Sequence, residues 1–282
     1  MTPSTVETPI IVPALPRPSR ELEPPLRGEL LSLERSVDAV RSLAAAQDVS
    51  FAPSTGSTPL PRLLKEADTQ IREVVAALAA EVRAKRAVSP ATEWLLDNSY
   101  LVDEQVRDAR SNLPSAFGRK LPHLLSGPRA GYPRVYELAV LLVENTDSRL
   151  EHDYLQQAAA AYQEIAPLNT GELWAVPIML RIALVENARR LALRVLAAHQ
   201  DEVEADDWAD ALTAASEIDD ARVAADRLAA KLIGGDTSPS VGFLVRLEQR
   251  LQGQDIAVAS VHDWAARSLR ESGGGSVSAP AP

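Results

Sequence analysis

The stretch Thr170–Arg190, TGELWAVPIMLRIALVENARR, constrains this chain more than any other. From Leu173 to Val185 nearly every residue is apolar, and Arg181 is the sole charge among them. Plotted at 100° per residue, the apolar positions go all round the helix, the pattern of an element buried on every side by other helices. The run is far shorter than the roughly twenty residues needed to cross a bilayer. Thr170 is expected to cap the helix, with Glu172 in the first turn where an anion suits the dipole. Pro177 should kink it or split it into two segments. A guanidinium inside an apolar run must find a partner, because an unpaired buried charge is very costly. The expected partner of Arg181 is Asp97, Glu104 or Asp147, in a salt bridge that fixes helix register.

The remaining chain supplies helices to surround this one. Residues 1–26 carry seven prolines and read as a disordered or extended leader. Helical spacing begins near Gly28. A Ser/Thr/Gly/Pro cluster follows, then a long helix from about Arg62 to Lys85. A third helix starts at Ser89–Pro90 and runs to about Arg110. Its apolar arc holds Trp94, Leu101, Val102, Val106 and Ala109. Asn98 and Gln105 fall within that arc, and Asp97, Glu104 and Asp108 form an acidic row at its edge. Buried amides need partners, either neighbouring backbone and side chains or the lining of a pocket. A Pro- and Gly-rich bridge occupies residues 113–134, long enough to carry function. Helices follow over PRVYELAVLLVEN and about Asp153–Ile165. The central helix continues through ARRLALRVLAAHQDEV, with Glu186 and Arg190 placed for an i,i+4 pair. Another long helix and two shorter ones end near Arg270.

No period-2 run of β-branched residues suggests strands. The expected fold is all-α: a multi-helix bundle around a central buried helix, with a Pro-rich N-terminus and a Gly/Ser/Pro tail. The expected organisation is a leader over 1–26, one helical domain over 27–270 with a sub-boundary near 234–239, and a disordered tail over 271–282.

Composition narrows the chemistry. Aromatics are 4% of the residues, so Leu, Val, Ile and Ala must build the core. A net charge of −10 offers no basic stripe for nucleic-acid phosphates. With no cysteine, disulfides and thiolate metal sites are excluded. No signal peptide is visible at the start MTPSTVETPI. Phosphate-binding glycine motifs and HExxH are absent, and His123, His152, His199 and His262 lack ligand spacing. Asp206–Asp207 and Asp219–Asp220 are adjacent pairs that read as solvated helix faces. No cofactor, metal or catalytic residue is expected. A glycosidase pair at Asp97 and Glu104 would sit about 10 Å apart on one helix face, which does not make a cleft.

The runs TEWLLDNSYLVDEQVRDAR, LP.LL.GP.AGYPRVYELA, TDSR and LNTGELWAVPIMLRIALVENARRLA resemble the amino-terminal region of cyclic β-1,2-glucan synthases. SVGFLVRLEQRLQGQDIAVASVHDWAARSL is similar to that family too, so the likeness reaches from about residue 27 to 270. The resemblance implies a bacterial inner-membrane glycosyltransferase that builds a β-1,2 chain from UDP-glucose and closes it into a ring. The family's membrane, transferase and phosphorylase-like regions have no counterpart here. The expectation is therefore a non-catalytic helical leader, as a fragment, truncated gene or split subunit, that scaffolds or regulates glucan synthesis. Its partner would be the remainder of the membrane synthase, and its location the cytoplasm at the inner face of the inner membrane. The alternatives are a free-standing helical interaction module and a small carbohydrate-active enzyme. Candidate structural or binding residues are Trp94, Asp97, Asn98, Glu104, Gln105, Tyr132, Arg134, Tyr136, Asp147, Arg149, Glu172, Trp174, Arg181, Glu186 and Asn187.

Overall fold

The computed structural model describes residues 12–18, 20–28, 31–53, 58–113, 115–216, 221–235, 238–252 and 259–274. Helices dominate them, and the fold is all-α apart from one small strand pair. The helices are α1 (Leu33–Ala46), α2 (Leu60–Arg83), α3 (Pro90–Asn112), the single turn α4 (Ser115–Gly118), α5 (Arg134–Asn145), α6 (His152–Ile165), α7 (Thr170–Ser216), α8 (Ala221–Ile233), α9 (Val241–Leu251) and α10 (Ala259–Gly274). Strands β1 (Val49–Ser50) and β2 (His123–Leu124) pair antiparallel, Val49 opposite Leu124. They were not expected, because two residues are too few to show a period-2 pattern.

The described chain forms two compact units where the sequence reading has one domain. The larger is Leu22–Val195; the smaller joins Met1–Glu21 to Leu196–Pro282. The change falls inside α7, where unbroken helical periodicity gives composition nothing to mark. Of the expected tail, residues 271–274 belong to α10, and 275–282 lie outside the described residues.

In the larger unit the core is aliphatic. Leu60, Leu64, Val106, Leu138, Val143, Met179 and Ile182 are buried, with Tyr162 the largest side chain among them. α3 begins as expected: the Ser89 hydroxyl accepts from the Thr92 amide at 3.3 Å, and Pro90 occupies the first turn. Its buried stripe is Thr92, Leu95, Val106 and Ala109, facing α2. Trp94, expected in the apolar arc, is instead 64% exposed, and Leu101 is exposed too. The arc is wider than the face α2 covers, so its outer edge is left open.

α7 corrects the sequence reading in three ways. It is not apolar-buried all round: Ala175, Met179, Ile182 and Ala183 are sealed, but Leu173 and Trp174 are exposed, Trp174 at 75%. Of the kink or split expected at Pro177, the split does not occur, since Pro177 lies inside one continuous helix. Pro177 and the residue four before it, Leu173, are both exposed, so the carbonyl that lost its donor can turn to water. The cap is Asn169 rather than Thr170. The Asn169 side-chain oxygen accepts from the Glu172 amide at 3.0 Å, and the Glu172 carboxylate accepts from the Asn169 amide at 2.9 Å, a reciprocal capping box.

The smaller unit is built around Trp208, fully buried with Leu212, Phe243, Leu244, Leu247 and Val261. α9 is capped by Ser240, whose hydroxyl accepts from the Phe243 amide at 3.0 Å. Asp206, read as a solvated face, holds Arg246 through two bonds of 2.8 and 2.9 Å.

The described residues of the proline-rich leader, 12–18 and 20–26, are extended and are divided between the two units. Residues 1–11 and 19 lie outside the described residues. Trp208 donates its indole N–H to the Ala14 carbonyl at 2.9 Å, and Lys231 donates to the Pro13 carbonyl at 3.2 Å. In the larger unit Leu26 is 2% exposed, and its amide donates to Asn187 at 2.7 Å. Prolines forbid helix here but leave carbonyls and extended backbone free for such side-chain partners. Asn187→Ala orphans the buried Leu26 amide and is expected to cost about 1–3 kcal/mol. The check is a urea unfolding midpoint; an unchanged midpoint would mean the strap over residues 22–28 contributes little.

Candidate functional site

The bridge after α3, expected to be irregular, places its last residues beside α5. Gly127 and Gly131 both adopt positive φ, which glycine tolerates without strain. The turn they frame carries Pro128 and Arg129, and Tyr132 follows it. Tyr132 stacks on Tyr136 of α5, their rings 5.2 Å apart and inclined by 20°.

These residues form one wall of a cavity of about 610 Å³. Arg62, Glu66 and Gln70 of α2 line another side, Glu186, Arg189 and Arg190 of α7 a third, and Glu23 and Leu26 of the strap close it. Arg189 organises the α7 side. It holds Glu186 through bonds of 2.8 and 2.6 Å, donates to Gln70 at 2.9 Å and meets the Glu23 carboxylate. Arg190 donates to Glu186 at 2.7 Å, the i,i+4 pair expected from sequence, and to the Pro24 carbonyl at 2.9 Å. Arg62 pairs with Glu66 at 2.7 Å. Arg129 has only longer ion pairs, 3.7 Å to both Glu137 and Glu144.

The electrostatics follow from this set. The Arg189 hydrogen bond, working against partial burial, holds the Glu23 carboxyl below the usual carboxylate range. Burial pushes the Tyr136 and Tyr132 phenols up, so both stay protonated as donors. A carboxyl whose folded pKa is depressed adds stability above its unfolded pKa and loses it as pH falls through the folded value. The contact of Glu23 with Arg189 should therefore weaken below the normal carboxylate range. Protection of the residue 22–28 amides, relative to their intrinsic exchange rates at each pH, is expected to fall there, and protection indifferent to acid would contradict it.

A second polar centre in the larger unit is sealed from water. The Arg134 guanidinium donates to both Glu172 oxygens, at 2.5 and 2.9 Å, and to the Pro167 carbonyl at 2.9 Å. Both side chains are almost fully buried, 4% and 0% exposed. The Tyr162 ring lies 5.7 Å from the guanidinium carbon and the Phe51 ring 5.4 Å. Glu172 thus caps α7 and neutralises α5 at once.

The sequence candidates divide accordingly. Tyr132, Tyr136 and Glu186 line the cavity; Arg134 and Glu172 form the buried pair; Asn187 is buried, donating to the Ser148 hydroxyl at 3.0 Å. Asp147 pairs with Arg27 at 3.3 Å, and Arg149 is exposed. Arg181 is satisfied by an amide, not a carboxylate: it donates to Gln105 at 2.8 Å. It is half-buried at the edge of an apolar groove between α3 and α7, where water lowers the need for a counter-charge. Arg181→Met is expected to change stability by less than about 1 kcal/mol; a loss several times larger in thermal denaturation would show a buried charge after all. Asn98 bonds its own helix, donating to the Trp94 carbonyl at 2.7 Å. Asp97 and Glu104 are exposed on α3, and neither lines that groove. Trp94 and Trp174 stand largely in solvent.

Sequence reasoning missed Glu23, Arg62, Gln70, Arg129 and Arg189. For Arg189 a signal existed, since it stands three residues after Glu186. The others converge only through tertiary structure.

Comparison with known proteins meets the resemblance read from the motifs. Over 131 residues, 46% of this chain, it is 40% identical to the cyclic β-(1,2)-glucan synthase NdvB of Rhizobium meliloti (strain 1021). The matched region is 5% of that protein, so the chain corresponds to a small part of a much larger relative. No family model matches the chain. Among the described residues no helix is long and apolar enough to cross a membrane.

Proposed function

We propose that this chain is a non-catalytic helical region of a cyclic β-1,2-glucan synthase-like glycosyltransferase, which scaffolds or regulates glucan synthesis at the inner face of the bacterial inner membrane. The observation that carries the reading is the 131-residue likeness to part of a glucan synthase. The state of the carboxylates supports the non-catalytic part. Glycoside hydrolysis needs a carboxyl kept protonated for the leaving oxygen and a second one free to attack or to activate water. In the cavity Glu23, Glu66 and Glu186 are each held by an arginine, and Glu172 is committed to Arg134. Asp97 and Glu104, the pair with the right chemistry, sit exposed on one helix.

The test is exchange. The matching region of the Rhizobium meliloti synthase is replaced by the corresponding part of this chain, and cyclic glucan is measured. Retained output, with the native chain co-purifying with a synthase lacking that region, is the expected result. Loss of glucan despite normal amounts of the chimaera, with no co-purification, would remove the proposal. Turnover of UDP-glucose by the chain alone would show catalysis instead.

A further inference from the structure

We infer that the cavity bounded by Arg62, Arg129, Arg189 and Arg190 is a binding site for a phosphate-type dianion, and that the Glu23 carboxylate is its built-in competitor. This stands on the cavity alone and does not depend on the glucan-synthase reading.

Charge is the first argument. Four guanidinia and three carboxylates line the space, and Arg129 also pairs, at 3.7 Å, with Glu137 and Glu144 outside the lining. The carboxylates are unequal. Glu186 is buried and fixed by Arg189 and Arg190 on its own helix, and Glu66 belongs to Arg62 on α2. Glu23 is 58% exposed and comes from an extended strap, so it can turn out to water at little cost. Moving it aside frees donors on Arg189 and Arg190 for another oxyanion in its place.

Donor geometry is the second argument. Guanidinium forks match phosphate oxygens in pairs, and such charge-assisted bonds are roughly twice as strong as neutral ones. Arg189 and Arg190 already hold the Glu23 carboxylate, an oxyanion of the same kind, and Arg129 is only loosely engaged at 3.7 Å. Tyr132 and Tyr136 add hydroxyl donors that stay protonated. A neutral sugar would make few charge-assisted bonds with these donors.

The experiment is calorimetric titration of the full chain with inorganic pyrophosphate and, separately, inorganic phosphate, at low and high salt. Saturable binding weakened by salt is expected. Glu23→Gln should tighten it about tenfold, and Arg62→Gln with Arg129→Gln should weaken it at least tenfold, while Arg107→Gln on α3 leaves it unchanged. Both cavity arginines lie at the surface, and a matching thermal melt confirms that the double variant folds; if it does not, Glu23→Gln decides alone. A preference for pyrophosphate assigns a diphosphate, and equal affinity a single phosphoryl group. No binding by wild type and Glu23→Gln, affinity indifferent to Glu23, or binding of a neutral glucose oligomer in preference to either anion would overturn the assignment.

Discussion

Glu172→Ala is expected to destabilise the larger unit by about 3–5 kcal/mol, the cost of leaving a buried guanidinium without its counter-ion. Glu172 is fully buried, and its carboxylate receives two bonds from Arg134 and one from the Asn169 amide. Its removal leaves Arg134 charged and dry, with only the Pro167 carbonyl and the Tyr162 and Phe51 rings around it, and opens half of the α7 capping box. A loss this large approaches the whole stability of many domains. The check is urea denaturation, with the midpoint falling at unchanged slope. The double variant Arg134→Met, Glu172→Leu separates two meanings of the loss. Removing both charges should recover most of the stability, because a buried pair is repaid only partly by its own attraction. A double variant as unstable as Glu172→Ala would mean that the cap, not the charge, dominates.

Trp208→Ala should cost the smaller unit a similar amount, about 3–5 kcal/mol, through lost burial and the cavity left behind. The indole is fully enclosed, and its N–H is bonded to the Ala14 carbonyl. Trp208→Phe keeps most of the volume and forfeits that hydrogen bond, worth about 1 kcal/mol. Hydrogen exchange should show protection lost across α8, α9 and α10 in the alanine variant and much less in the phenylalanine one. Because Trp94 and Trp174 are largely exposed and Trp264 is only half-buried, Trp208 should also supply the most blue-shifted part of the emission, which the alanine variant removes. An unchanged emission maximum would contradict the enclosed setting.

The helices were legible in the sequence because their signals are local. Ser89–Pro90, the apolar spacing of α2 and the Glu186–Arg190 pair each lie within one or two turns of chain. Whether a helix is covered is not local. The wheel of α7 is apolar nearly all round, yet the wheel cannot say that Trp174 faces water. Burial is set by how many neighbours arrive, and α3 leaves a groove at Arg181 and Gln105. The candidate site was legible only in part for the same reason. Tyr132, Tyr136 and Glu186 stood in motifs that drew attention, whereas Glu23 sat in a proline-rich stretch whose composition reads as structureless. Composition reports what backbone a segment can form by itself. It does not report that Asn187 and Arg190 offer partners to the strap.

Those strap contacts change where the chain can be cut. Truncation at the point where proline-rich composition gives way, near residue 27, would strip Leu26 from the core and the Glu23 carboxylate from Arg189. It would also free the Asn187 carbonyl and uncover one side of the cavity. A protease-resistant core should therefore begin ahead of residue 22, and a shortened version prepared for crystallisation or fusion would alter the very pocket it was meant to display.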